Sequence, residues 1–219
     1  MCTKRQAAIA AALGFAALLL TATARAENGE ESSVAAPVHP PSGPFELTIG
    51  NGYVQGFGRV TSARALDQVA GAGLDLNASL DDRLTPRWSV GIQTSFDVFT
   101  HEQNTAVGGL AATAGATYHL MPMTRGDPWL RLGVGYRLLW EDDPPGRQGA
   151  SVWRHALQAA SLRLGYDLRL SEDIALAPFA GADFDVFVWE NDSNATGGAV
   201  RSDAFGAFVV AGLQGRFDF

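Results

Sequence analysis

The chain has 219 residues, with 23 acids against 16 bases, 47% apolar residues, 25 glycines and one cysteine. A formal charge of −7 argues against a nucleic-acid binder, whose footprint is basic. The apolar content excludes disorder, and a single cysteine excludes a disulfide framework or a cysteine-rich metal site.

The first segment reads as an export leader. Lys4 and Arg5 precede an apolar run from Ala7 to Leu20, and Ala24-Arg25-Ala26 is a small-x-small site before Glu27. This is the order of a secretory signal peptide over 1–26, cleaved after Ala26. Cys2 precedes the apolar run and leaves with the leader. The exported chain then has 193 residues, no lysine, no cysteine and a charge of −10. Residues 27–44 carry Pro37, Pro40, Pro41 and Pro44 and no apolar period. They predict an extended periplasmic tether.

From Phe45 to Phe219 the dominant period is two, the strand period. Phe45, Leu47, Ile49 and Tyr53 share one parity, with Glu46, Thr48, Gly50 and Gly52 on the other. Seven further runs alternate in the same way, over 72–80, 88–98, 109–120, 130–138, 162–169, 180–188 and 209–219. Eight strands is an even number, as a closed antiparallel barrel requires. Closure leaves no strand edge without partners in lipid. Short connections (Asp81–Pro86, Met121–Asp127, Ser171–Asp173) alternate with longer ones (Gly58–Val69, Thr100–Thr105, Glu141–His155, Glu190–Asp203). The prediction for 45–219 is therefore an all-β fold. It is an eight-stranded antiparallel up-and-down transmembrane β-barrel with short periplasmic turns and long extracellular loops. Both chain ends fall on the periplasmic side.

A soluble periplasmic barrel also alternates, so the facing of each parity matters. The polar parity is rich in glycine and small residues, which suits a narrow lumen. Aromatics of the apolar parity gather near strand ends. Phe45, Trp88, Tyr118, Tyr166, Phe217 and Phe219 form one interface girdle, and Tyr53, Phe96, Trp140 and Phe205 the other. The apolar parity is thus assigned to lipid.

The inward parity then carries Glu46, Asp75, Asp97, Asp167, Asp183, Asp185 and Asp218 against Arg131, Arg137, Arg163, Arg169 and Arg216. Unpaired buried charge is costly, so these predict an arginine–carboxylate ladder in the lumen. The register places Arg163 diagonal to Asp183, and Arg137 level with Asp185. The ladder reads as a plug, with a narrow channel for small solutes as the alternative.

Other chemistry has weaker support. The four histidines, His39, His101, His119 and His155, show no metal-ligand spacing, so no metal or cofactor is expected. Ser151, His155 and the acids Glu141, Asp142 and Asp143 would supply nucleophile, base and orienter in one loop. A polar surface loop contains such residues anyway. The acidic loop residues, which also include Glu190, Asp192 and Asp203, lack calcium-loop spacing. Trp153 in the longest loop would anchor a partner or fold onto the girdle. The loops over 141–155 and 190–203 are the candidate contact surfaces for an extracellular protein or other surface ligand.

The end of the chain adds a resemblance. Phe217-Asp218-Phe219 resembles the C-terminal assembly signal of bacterial outer-membrane proteins, with Gln214 where that signal usually carries glycine. Over Phe45–Phe219 the chain is similar to the small outer-membrane barrels of the outer-membrane protein A and X type. That resemblance implies an outer-membrane location, contact with membrane lipid and lipopolysaccharide, and insertion by the barrel-assembly machinery. It implies a structural or surface-interaction role without catalysis. Some barrels of this kind are lipid A-modifying enzymes, which keeps that activity as an alternative.

Overall fold

The computed structural model describes residues 43–62, 64–100, 106–144, 149–193, 195–199 (backbone only) and 204–219. The segments read as a leader (1–26) and as a tether, the latter as far as Ser42, lie outside the described residues, as do His39, His101, Asn194 and Asp203.

Among the described residues nine strands form in chain order. They are β1 (Phe45–Gly58), β2 (Ala72–Arg83), β3 (Trp88–Phe99), β4 (Val107–His119), β5 (Gly126–Asp142), β6 (Ser151–Arg169), β7 (Ile174–Asp192), β8 (Ala195–Ala199) and β9 (Phe205–Asp218). Each of β1 to β6 pairs antiparallel with the next strand along, through to β6 with β7. β7 then pairs with β9 and β9 with β1, which closes an eight-stranded barrel. The short β8 pairs with β7 alone and extends it at the loop end. Phe45 and Phe219 exchange backbone hydrogen bonds at 2.9 and 3.0 Å, which ties the seam at the turn end.

The two parities face opposite media. Outward residues such as Ile92 and Val134 are 60% exposed, whereas the inward Asp97 and Arg137 are 1% exposed. A water-soluble barrel has the reverse arrangement, so this barrel is built to sit in hydrocarbon. Aromatic contacts mark both ends of the apolar band. Trp88 and Tyr118 rings lie 4.8 Å apart, and Phe45 and Phe219 rings 6.1 Å apart, at the turn end. The rings of Phe96, Trp140 and Trp153 follow one another in tilted contacts at 5.8 Å spacings at the loop end. Tyr166 is half-buried on the turn side.

Several boundaries differ from the sequence reading. The strands run further than the alternating runs indicated, because parity continues past the lipid belt in polar residues. Asp81 and Arg83 belong to β2 and Asp127 to β5, not to turns. The loop read over 141–155 shrinks to the stretch after Asp142 and before Ser151. Trp153 and His155 are strand residues. The segment read as a loop over 190–203 likewise begins as β7 and contains β8. The first long connection holds a single 3₁₀ turn, Leu66–Gln68.

Candidate functional site

The lumen is the candidate site, and it is filled in layers from the turn end upward. All twelve residues of the inward ladder are buried. At the turn end Arg83 donates to Glu46 and to Asp218, both at 2.8 Å. Arg216 bonds Asp167 and lies 3.3 Å from Asp218, and Arg169 lies 3.6 Å from Asp218.

Above them Arg131 donates to Asp81 at 2.6 Å and to Thr117 at 3.0 Å. Ser79 donates to the same Asp81 at 2.7 Å. Arg163 reaches diagonally to Asp183 at 2.9 Å. The central group is Arg137. It binds Asp97, donates to Asp183 at 2.7 Å, and has its Nε 2.8 Å from Asp185. Ser161 also donates to Asp183, at 2.8 Å. Arg83, Arg216 and Arg137 each bridge carboxylates on more than one strand, which cross-braces the wall, while Arg131, Arg163 and Arg169 each reach one carboxylate.

The upper lumen is apolar, which the sequence reading of a charged, glycine-lined interior did not include. The Arg137 guanidinium sits 4.1 Å above the Phe208 ring. Phe208 opens a cluster with Phe99, Phe187, Val54, Leu139 and Ala156 from the wall. Val60, Leu66, Val69 and Ala70 complete it from the β1–β2 connection. That connection turns inward from Gly58, whose φ of +91° favours glycine. Leu66 seats in a notch floored by glycine. A Cβ on Gly56 would lie 2.9 Å from Leu66, and one on Gly206 would lie 2.8 Å from it. Above the cluster, Arg64 makes two bonds to Glu141 at 2.6 and 2.7 Å. Arg154 bonds the same Glu141 at 2.9 Å and Glu190 at 3.0 Å.

Little free volume remains. Arg131 and Arg163, which keep unbonded guanidinium nitrogens, line a cavity of about 20 Å³. That is room for about one water molecule.

Two other constellations resolve differently. His119, Asp127 and Asp167 bring ligand atoms within 4.8 Å of one another. Their carboxylate oxygens already have donors. Met121 N and His119 Nδ1 serve Asp127 at 2.9 and 2.8 Å, while Trp129 Nε1 at 2.9 Å and Arg216 serve Asp167. Arg216 thus occupies the place of a cation. The proposed hydrolytic set in the 141–155 segment is dispersed. Glu141 points into the lumen, Ser151 donates to Asp142 at 2.6 Å, and His155 bonds Tyr136. Ser151 and His155 stand four strand residues apart, about 13 Å.

The sequence reading missed Asp81, Arg83, Asp127, Glu141 and Arg154 as lumen groups. The signal was present for Asp81 and Asp127, which simply extend the inward parity of their strands. No comparable signal marks Leu66, whose burial depends on how the loop folds back.

No protein family and no curated protein matches the chain. Solved structures do. The Neisserial surface protein A structure is 12% identical, with a TM-score of 0.56, covering 80% of this chain and 97% of that one. The N-terminal β-barrel domain of Pseudomonas aeruginosa OprF is 13% identical, with a TM-score of 0.49, covering 81% and 98%. The outer-membrane protein OprG of the same organism is 12% identical, with a TM-score of 0.47, covering 82% and 98%. The closed eight-strand topology and the likeness to Neisserial surface protein A agree, and the chain has the fold of the small outer-membrane β-barrels.

Proposed function

We propose that this protein is exported, loses residues 1–26, and works in the bacterial outer membrane as a closed barrel. Its role on this reading is structural or surface-interactive, without catalysis. The observation that carries it is the filled lumen. An ion-pair ladder and an apolar cap occupy the bore, and a cavity lined by Arg131 and Arg163 holds about 20 Å³. An eight-stranded bore is only just wide enough for side chains, so a permeation path would require the ladder to come apart.

The separation of Ser151 from His155 supports the non-catalytic reading over a lipid A-modifying one. On the same reading Phe217 and Phe219 serve recognition by the assembly machinery. The outer girdle around Trp140 meets lipopolysaccharide. The contact surface for a partner narrows to the loop tips beyond Asp142 and Asp192.

Planar-bilayer recording tests the central claim. The expected trace shows no large steady conductance. A stable open state of high conductance in the wild-type protein overturns the closed-barrel reading. Mass spectrometry of lipid A after incubation with the barrel tests the absence of catalysis, and an altered acyl pattern overturns that part.

A further inference from the structure

The outward rows of β1 and β3 carry three polar side chains, Asn51, Gln55 and Thr94. Gln55 accepts from the Tyr53 hydroxyl at 2.8 Å, and Thr94 donates to the Ala78 carbonyl at 3.5 Å. Asn51 is exposed, and among the described residues its side chain has no hydrogen bond. Its register partners are Leu76 on β2 and Leu213 on β9, both 45% exposed in the apolar belt. The backbone on either side is committed to the β1–β2 and β1–β9 ladders. A primary amide facing hydrocarbon without a partner is costly, and the described residues of the chain offer it none.

We propose that β1 is the contact face of a homodimer within the membrane, in which Asn51 of one copy bonds Asn51 of the second. The inference rests on the reading that the outward rows meet lipid. A carboxamide carries both donors and an acceptor, so it is its own complement. A two-fold interface brings the same patch of both copies together and satisfies both amides at once. The outward row from Phe45 to Phe57 carries no charge, so nothing on it repels a second copy.

The relief fits as well. A two-fold axis along the membrane normal sets β2 of one copy against β9 of the other. Leu76 then faces the low surface of Ala211 and Gly215, which flank Leu213 on the outward face of β9. The reciprocal contact forms on the other side of the axis. Small residues allow the close approach on which association in lipid depends.

Site-directed cross-linking tests the proposal with the full chain in a Cys2→Ser background, folded into phosphatidylcholine vesicles. Oxidation of Asn51→Cys should give a disulfide-linked dimer. Leu132→Cys, on β5 across the barrel, should stay monomeric. No dimer from Asn51→Cys, or equal dimer from both, overturns the proposal. Asn51→Leu should keep the heat-modifiable gel mobility of a folded barrel. Its dimerisation, read by energy transfer between labelled copies, should weaken about tenfold, the loss of one modest pair of hydrogen bonds. An unchanged dimer overturns the role of Asn51. A wild-type chain that fails to insert overturns the lipid-facing reading beneath it. An inserted wild type that is monomeric overturns the dimer alone.

Discussion

Replacing Arg137 by methionine is the sharpest test of the ladder. The substitution keeps an unbranched apolar stem and removes the guanidinium that lies over Phe208. Arg137 contacts Asp97, Asp183 at 2.7 Å and Asp185 at 2.8 Å. Asp183 keeps Arg163 at 2.9 Å and Ser161 at 2.8 Å, so it is largely protected. Asp97 and Asp185 lose their cation. At about 1.5–3 kcal/mol for each lost charge-assisted contact, the two together cost about 3–6 kcal/mol. Breaking a buried ion pair by removing one partner costs about 3–5 kcal/mol by independent reckoning. A methionine–aromatic contact with Phe208 returns about 1 kcal/mol. The net expectation is a loss of about 2–5 kcal/mol, within the range of large single-site effects.

Urea unfolding in lipid vesicles, followed by tryptophan fluorescence and by gel mobility, measures it. A companion variant carrying Arg137→Met with Asp97→Asn and Asp185→Asn should recover most of the loss, because the stranded charges are gone. A loss below about 1 kcal/mol for the single variant, or no recovery in the companion, refutes the idea that Arg137 holds these carboxylates.

Three further outcomes are expected. Ile92→Arg places a charge on the 60% exposed outward face and should cost about 2–4 kcal/mol in vesicles if that face meets lipid near the midplane. The same vesicle unfolding assay reads it, and no measurable cost refutes the inside-out assignment. Leu66→Ala removes a fully buried side chain from its notch and should cost about 2–5 kcal/mol. The loss should show as new proteolysis within the β1–β2 connection, because the barrel ladders do not depend on that loop. At the rim, Arg64→Ala should cost about 1 kcal/mol, since Arg64 is partly exposed. Glu141→Ala should cost about 2–3 kcal/mol, because Arg64 loses both its bonds and the buried Arg154 loses one of its two carboxylates. Equal losses from the two rim variants contradict the burial argument.

Much of the barrel was legible before any coordinates. Alternation assigns Asp97 to one face and Ile92 to the other, because a strand turns successive side chains to opposite sides. The charges along the inner row are equally readable, since parity alone selects Arg131, Arg137 and Arg163. Strand ends were less legible. Above the lipid belt the outward residues turn polar, so the contrast that marks a strand fades while the hydrogen-bond ladder continues. Glu141, Arg154 and Ser151 fell into a supposed loop for that reason.

What the sequence determined by itself is the period and the count of barrel strands, which follow from local alternation, and the medium each parity faces, which follows from the small residues of one parity and the aromatic girdles of the other. The tertiary structure decided which charges meet. Arg137 joins Asp97 on β3 to Asp183 and Asp185 on β7, and such pairing depends on closure across the bore. It also decided that the upper lumen, beneath the charged rim, is apolar. Leu66 lies in a loop without a period, and its place is set by a notch that glycines on two distant strands form only once the barrel has closed.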